Sequence, residues 1–447
     1  MPRRLPILLL CAAAHAAFAG AGDDAGTTDP FSVWDGVTQL FPARRGTENH
    51  SHAEFAEAAV VESHAEFAEA VSHAESAEFA EFAGEFVLPD DAPEGLSGIA
   101  WHGGIPGFNG LYDDLYGLVE DSGGRLHSAT IAINRHTGEI TNAVVSSAGA
   151  IPGAADLEGI DGGCVNSIPL LFASDERGPA VFAKAAFDTT GPDWASLSLP
   201  EPLRRCRPNK SLESLALSAD GRILWTANED ALPEDGPASS PGNGSRIRLY
   251  ALDTERLFHD GEDTPPATAL PAAARWWFYE LDPPPGVSFR PLPDPFNGLA
   301  DLCALPDGRL LALERSYGFV ERPGDEASPG SLITISIYLI DPLHAETAEA
   351  GGAGVPPSVV SHAEAAENAE AAPSVARTAA SDRPAVLAKT LVWRGLTGRA
   401  NYEGMTLGPA LEDGSRALLL VSDGDVTRKG AFAFPWTKRL LALRLKP

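Results

Sequence analysis

The stretch "SLESLALSADGRILWTANED", Ser211 to Asp230, decides the fold. Two short apolar runs flank an Asp-Gly pair, which is a hairpin signal. The second run ends in polar, mostly acidic residues. The same order returns along the chain. "GLADLCALPDGRLLALERSYG" carries it at 298–318, and "NYEGMTLGPALEDGSRALLLVSDGD" at 401–425. "DLEGIDGGCVNSIPLLFASDERG" is a further copy at 156–178. "GLSGIAWHGG", continued by "LYGLVEDSGG", is another from Gly95 to Gly124. One or two more strands follow each copy, such as "RIRLYALD" at 246–253 and "ISIYLIDP" at 335–342. Four antiparallel strands per unit, repeated at irregular spacings of roughly 55 to 100 residues, describe an all-β chain folded as a β-propeller. A sandwich would not repeat one turn motif in register. "RWWFYELD" at 275–282 lies in the long gap after the Ser211 copy and reads as a degenerate blade. Six blades are therefore expected, with five or seven as the alternatives.

In a propeller the innermost strands of all blades run the same way along a central channel, so equal positions form a ring. One position in each copy stands out. It holds Glu158, Glu213 and Glu403 in three copies, Ser97 and Ala300 in the others. The ends of the neighbouring strands add Glu120, Asp121, Asp175, Glu176, Glu229, Glu314, Asp423 and Asp425. Carboxylates that converge raise one another's pKa or need a cation. A hard divalent ion, calcium first, is the natural partner of an all-oxygen site. The expected ligand set is Glu158, Asp175, Glu176, Glu213, Glu229, Glu403 and Asp423. The alternative is local pairing, since Arg177 and Arg315 stand beside the acidic positions.

Composition points the same way. The chain has 62 acidic and 33 basic side chains among 447 residues, a net charge of −29. Such a chain repels nucleic-acid backbones and anionic membranes and favours cationic partners. Its 44% hydrophobic content supports a sizeable core. The N-terminus pairs Arg3 and Arg4 with an apolar run and Ala-Phe-Ala at 17–19. That pattern predicts a signal peptide over 1–21 and export to the periplasm or the extracellular space. Residues 22–86 read as a linker with a low-complexity repeat of the type S-H-A-E-F-A-E, echoed at 361–372 inside a loop at about 345–385. Its His52, His64 and His73 do not share a helical face, so metal binding there is the weaker reading. The propeller occupies 87–447. Cys164 and Cys206 lie in turns and could pair in an oxidising compartment, whereas Cys303 sits inside a predicted strand.

The series "GLSGIAW", "YGLVEDSG", "DLEGIDG", "LLFASDERG", "SLESLALSADGR", "GRLLALERSYG", "YLID", "NYEGMTLGP" and "ALLLVSDGD" resembles the phytase-like domain family, also called the esterase-like activity of phytase family. The likeness covers about 87–447 outside the inserted loops. It implies an exported propeller, related in character to calcium-dependent propeller phytases, that hydrolyses phosphate esters or other esters. In that reading calcium offsets the charge of an anionic small-molecule substrate. Glu158, Glu213 and Glu403 serve as ligands or general base, and Arg177, Arg315 or Lys210 stabilise developing charge. A monomer acting on a small anionic or ester substrate is expected. Two other readings stay open: a non-catalytic binding propeller, and a calcium-dependent lactonase-like hydrolase using Asn228 and Asn401 beside Glu229 and Glu403. Other chemistries lack their motifs. "GLSGIA" fails the spacing of a nucleophile elbow, and "NRHTGEI" at 134–140 lacks the second arginine of a histidine phosphatase. No Walker loop, H-E-x-x-H or dinucleotide fingerprint is present.

Overall fold

The structure is a computed structural model. It describes residues 79–104, 113–185, 194–197, 199–254, 275–288, 294–321, 330–345, 384–424, 426–429 and 432–447. The signal-like segment, His52, His64, His73, the echo at 361–372 and Asp425 lie outside the described residues.

Five four-stranded antiparallel sheets form the blades. Strand β1 (Ala80–Val87) comes first in the chain but belongs to the last blade. Blade 1 holds β2 (Leu96–Trp101), β3 (Leu115–Glu120), β4 (Arg125–Ile133) and β5 (Ile140–Ala150). Blade 2 holds β6 (Leu157–Val165), β7 (Ile168–Asp175), β8 (Ala180–Ala185) and β9 (Ala195–Ser196). Blade 3 holds β10 (Leu212–Leu217), β11 (Ile223–Asn228), β12 (Arg246–Asp253) and β13 (Arg275–Glu280). Blade 4 holds β14 (Phe296–Ala304), β15 (Leu310–Glu321), β16 (Gly330–Ile340) and β17 (Lys389–Gly398). Blade 5 holds β18 (Asn401–Ala410), β19 (Arg416–Asp423), β22 (Arg439–Leu445) and, outermost, β1. A separate hairpin, β20 (Val426–Lys429) with β21 (Phe432–Pro435), interrupts blade 5. Among the described residues no helix is long and apolar enough to cross a membrane.

The blade number is five, not six. "RWWFYELD" supplies β13, the outer strand of blade 3, where Arg275 to Glu280 pair with β12. The long intervening stretch lies within one blade rather than between two. Trp277 packs on Trp225 with ring centroids 5.8 Å apart. The inner strands β2, β6, β10, β14 and β18 pack side by side around the axis, and β18 meets β2 to close the ring. Strand β1 draws its residues from the end of the segment read as low-complexity and binds β22 antiparallel.

The inner strands are largely buried on both faces, because blades pack face to face. The six residues of β10 are all buried. In β19 alternate side chains go opposite ways, as the two-residue period of a strand requires. Leu418 and Leu420 join the cluster shared with blade 4, and Ala417, Leu419 and Val421 the cluster shared with blade 1. Five such clusters fill the five gaps between neighbouring blades. Cys164 and Cys206, which could have paired, do not: both thiols are free, and Cys206 donates to the Leu203 carbonyl oxygen at 3.1 Å. Cys303 is buried in β14, as read.

Candidate functional site

The position singled out in the repeats is a β-bulge in every inner strand. Pairing skips Ser97 in β2, Glu213 in β10, Ala300 in β14 and Glu403 in β18. In β6 it skips the pair Glu158–Gly159. A bulge leaves one residue unpaired and re-aims its side chain. Here it lets a hydrophilic group leave the blade face and meet its counterparts from other blades. Small residues follow most bulges for a steric reason. A Cβ at Gly98 would lie 2.4 Å from the Glu158 carbonyl oxygen, and one at Gly404 would lie 2.6 Å from that of Ser97.

A second ring lies one residue beyond the partner of each pre-bulge position. It comprises Asp121, Glu176, Glu229, Arg315 and Asp423. Backbone hydrogen bonds fix its height. The N–H groups of Asp121, Glu176 and Glu229 donate to the carbonyl oxygens of Gly95, Asp156 and Ser211, each at 2.8 Å. Two of the side chains lean toward the next blade. Glu176 accepts the Ser211 N–H at 2.8 Å, and Glu229 presses against Gly298, where a Cβ would lie 2.4 Å from its carboxylate.

The two rings meet in two groups. In the first, Glu158, Glu176 and Glu213 are buried, and one carboxylate oxygen of each lies within 4.8 Å of the others. Among the described residues the Glu158 and Glu213 carboxylates accept no hydrogen bond and form no ion pair, and no other trio of His, Cys, Asp or Glu converges so closely. The second group is built on Arg315. Its guanidinium pairs with Glu229 at 2.9 Å and Glu403 at 3.4 Å and reaches the Asn401 Oδ1 at 3.4 Å. Lys210 pairs with the other oxygen of Glu229 at 2.5 Å. Asn401 donates to Glu403 at 2.8 Å. Blade 4 has only Ala300 at its bulge, and Arg315 occupies its place in the second ring.

Burial and mutual repulsion shape the electrostatics. Desolvation, then Glu213, Glu403 and Glu176, hold Glu158 well above the usual carboxylate range. Desolvation, then Glu229 and Glu176, do the same to Glu213. Burial pushes Glu176 up to about 7, although the Ser211 N–H opposes it. Burial pushes Glu403 up to about 8 against the pull of Arg315, with Asp423 and Asp121 adding to the rise. For Arg315, burial opposes the charge, but Glu403, Glu229, Glu213 and Glu158 outweigh it and keep the guanidinium charged.

Not every expected residue arrives. Arg177 is mostly exposed and pairs with Asp156 at 3.2 Å, away from the convergent carboxylates. Asp175 is taken up by backbone: it accepts the N–H groups of Ala155 and Asp156 before β6 and of Gly178 after β7. Glu314 enters a network between blades 3 and 4 with Tyr279, Asn297 and Lys389. Asp423 ends β19 opposite Asn401, and its charge acts on Glu403. Two channel carboxylates escaped the reading of the sequence. Asp301 occupies the small post-bulge position of blade 4 and accepts Leu215 N–H at 3.4 Å and Met405 N–H at 2.7 Å, binding both neighbouring blades. Asp161 accepts Leu217 N–H at 2.7 Å and is pushed up to about 6 by burial. Their signal was an aspartate inside an apolar inner strand.

Comparison with known proteins gives a family match over residues 94–426, described as "Phytase-like: Esterase-like activity of phytase". No curated protein matches the chain. Among solved structures, the Chaetomium thermophilum polycomb repressive complex 2 matches at 12% identity over 81% of this chain and 72% of that one, with a TM-score of 0.31. The Myceliophteria thermophila Cps50 (Swd1) β-propeller domain matches at 10% identity over 81% and 92%, also at 0.31.

Proposed function

The chain belongs to the phytase-like family, and from that premise we propose that it is an exported hydrolase in which calcium assists cleavage of phosphate esters or related esters. The observation that carries the proposal is the Glu158–Glu176–Glu213 trio. Its donors are all carboxylate oxygens, which suit a hard cation, and no basic side chain among the described residues pairs with Glu158 or Glu213. Glu158, Glu176 and Glu213 would hold the ion. When bound it would supply Lewis-acid polarisation of the ester or phosphoryl oxygen and offset the repulsion between an acidic protein and an anionic substrate.

The chain's own groups do the rest. Arg315 and Lys210 stand across Glu229 from each other and stabilise negative charge that develops on the substrate. Glu403, raised to about 8, exchanges a proton near neutral pH and is the proton-transfer group. A binding propeller is the second reading. It is favoured by Arg315, whose ion pairs supply counter-charge from within.

The test is a panel of phytate, aryl phosphates, aryl esters and lactones, each with and without calcium on metal-stripped protein. Calcium-dependent turnover of one ester class that is lost in Glu213→Gln is the expected result. Calcium binding without turnover of any substrate favours the binding propeller. No calorimetric heat with calcium removes the metal from the proposal.

A further inference from the structure

Of the two cations that share Glu229, one is placed to meet a ligand. Arg315 is committed: its Nη2 pairs with Glu229, its Nη1 turns to Asn401 and Glu403, and its side chain is 10% exposed. Lys210 keeps 24% of its side chain exposed. An ammonium carries three donors. Among the described residues one of them is taken, by Glu229 at 2.5 Å. The charge of Lys210 also acts on Glu176 of the trio. We propose that Lys210 grips an anionic oxygen of the ligand, and that Phe296 is the positioning residue that holds Lys210 ready for it. The inference rests on the mouth being the ligand site of the proposed hydrolase, and it narrows the substrate to esters that carry a negative charge.

The Phe296 ring is fixed from behind. It opens β14 opposite Tyr317 of β15, and the two rings stack with centroids 5.7 Å apart and planes 19° from parallel. Trp436 meets Tyr317 edge-on at 6.2 Å. The Lys210 ammonium lies over the Phe296 ring, 4.2 Å from its centroid, and the Arg315 guanidinium carbon lies 5.5 Å from it. The face of an aromatic ring is negative, so it attracts both cations without taking up their hydrogen bonds.

The backbone of Lys210 is fixed as well. Its N–H donates to the Arg207 carbonyl oxygen at 3.1 Å across Pro208 and Asn209. Asn209 takes the left-handed φ of 55° that asparagine tolerates. Arg207 is tied down in turn by its Nε and Nη2, which donate to the carbonyl oxygens of Ala231 and Gly236. A free lysine samples many rotamers, and an anion that binds it must order it. Here ring, carboxylate and turn order it in advance, and a preorganised donor holds charge more tightly than a mobile one.

Calorimetry on the full chain in saturating calcium at pH 7.5 tests this. The probe is methylphosphonate, which carries the anion and has no ester bond to cleave; its neutral dimethyl ester is the control. The anion is expected to bind and the diester not. Lys210→Gln should weaken binding about tenfold or more. Replacing Phe296 by 4-fluoro-, 3,5-difluoro- and 3,4,5-trifluorophenylalanine drains the ring face stepwise at nearly constant shape. Affinity should fall in step, about threefold to tenfold by the last. Phe296→Tyr should keep the affinity and Phe296→Leu should lose it; if the leucine variant does not fold, the fluorinated series decides alone. Binding unchanged in Lys210→Gln, or a fluorinated series that binds like the parent, overturns the proposal. So does a diester that binds as tightly as the anion, or no phosphonate binding at all. Phosphonate binding without turnover of any ester upholds the proposal and removes the hydrolase reading. Turnover of neutral esters without phosphonate binding does the reverse.

Discussion

Glu213 sits on a bulge with no hydrogen-bond or ion-pair partner for its carboxylate, and its burial makes ionisation expensive without a cation. Glu213→Gln removes one like charge from the trio. The metal-free variant should therefore melt a few degrees above the parent at pH 8, while the calcium-induced rise in Tm disappears. Differential scanning calorimetry with and without calcium reads both; a calcium-induced rise equal to the parent's would clear Glu213 of a ligand role. The pH dependence follows from the same residues. Glu176 and Glu403 have an ordinary carboxyl pKa near 4.5 in the unfolded chain and are raised to about 7 and about 8 when folded. Between these values the folded protein holds more protons than the unfolded chain, so unfolding free energy falls as pH rises. Their contribution is complete below about pH 4.5 and is lost as pH passes 7 and then 8. Urea melts of metal-free protein from pH 5 to 9 should show this decline, and saturating calcium should flatten it. Stability that rises across the upper part of that range would contradict the burial of these carboxyls.

At the scale of elements, the inner hairpins of blades 3, 4 and 5 were legible in the sequence because two independent signals coincide there, an apolar run at strand spacing and an Asp-Gly turn; those of blades 1 and 2 were found by their likeness to these. The outer strands carry neither signal. "RWWFYE" was taken for a blade of its own because residues 254–274 separate it from β12, and spacing in sequence is not spacing in the sheet. The glutamates were legible as a ring but not as bulges. A bulge is a mismatch between two strands, and one strand's sequence does not display it. Closure was equally hidden, since β1 pairs with the other end of the chain. That closure has a buried lock. Glu85 of β1 accepts from Tyr402 of β18 and pairs with Arg439 of β22. Glu85→Ala would strand a buried hydroxyl and a largely buried guanidinium, at a cost of about 3 kcal/mol or more. Chemical denaturation should show that loss. A change below about 0.5 kcal/mol, typical of exposed positions, would mean that β1 is held by its backbone pairing alone.

Over the whole molecule, an excess of negative charge becomes a local feature. The two rings gather Glu158, Glu213, Glu403, Asp121, Glu176, Glu229 and Asp423 where five inner strands meet, with Arg315 in the place of an eighth acid. The seven ring acids were all named from the sequence, whereas Asp161 and Asp301 were not, and of the arginines named only Arg315 reaches the mouth. Arg177 and Arg315 each follow an acidic residue at the end of a second strand, yet Arg177 lies one residue further along and turns outward to Asp156. Arg315 reaches inward because Ala300 leaves room and Glu229 and Glu403 draw it there. It is thus an internal rival of any cation at the mouth. Arg315→Gln leaves both glutamates buried without their partner, which costs about 3–5 kcal/mol in the metal-free protein. The same change hands those carboxylates to an incoming ion, so calcium should bind more tightly and restore much of the lost stability. Paired measurements of Tm and calcium affinity on the variant decide the matter. Weaker calcium binding would mean that Arg315 supports the cation site, and that its ion pairs organise the mouth rather than compete for it.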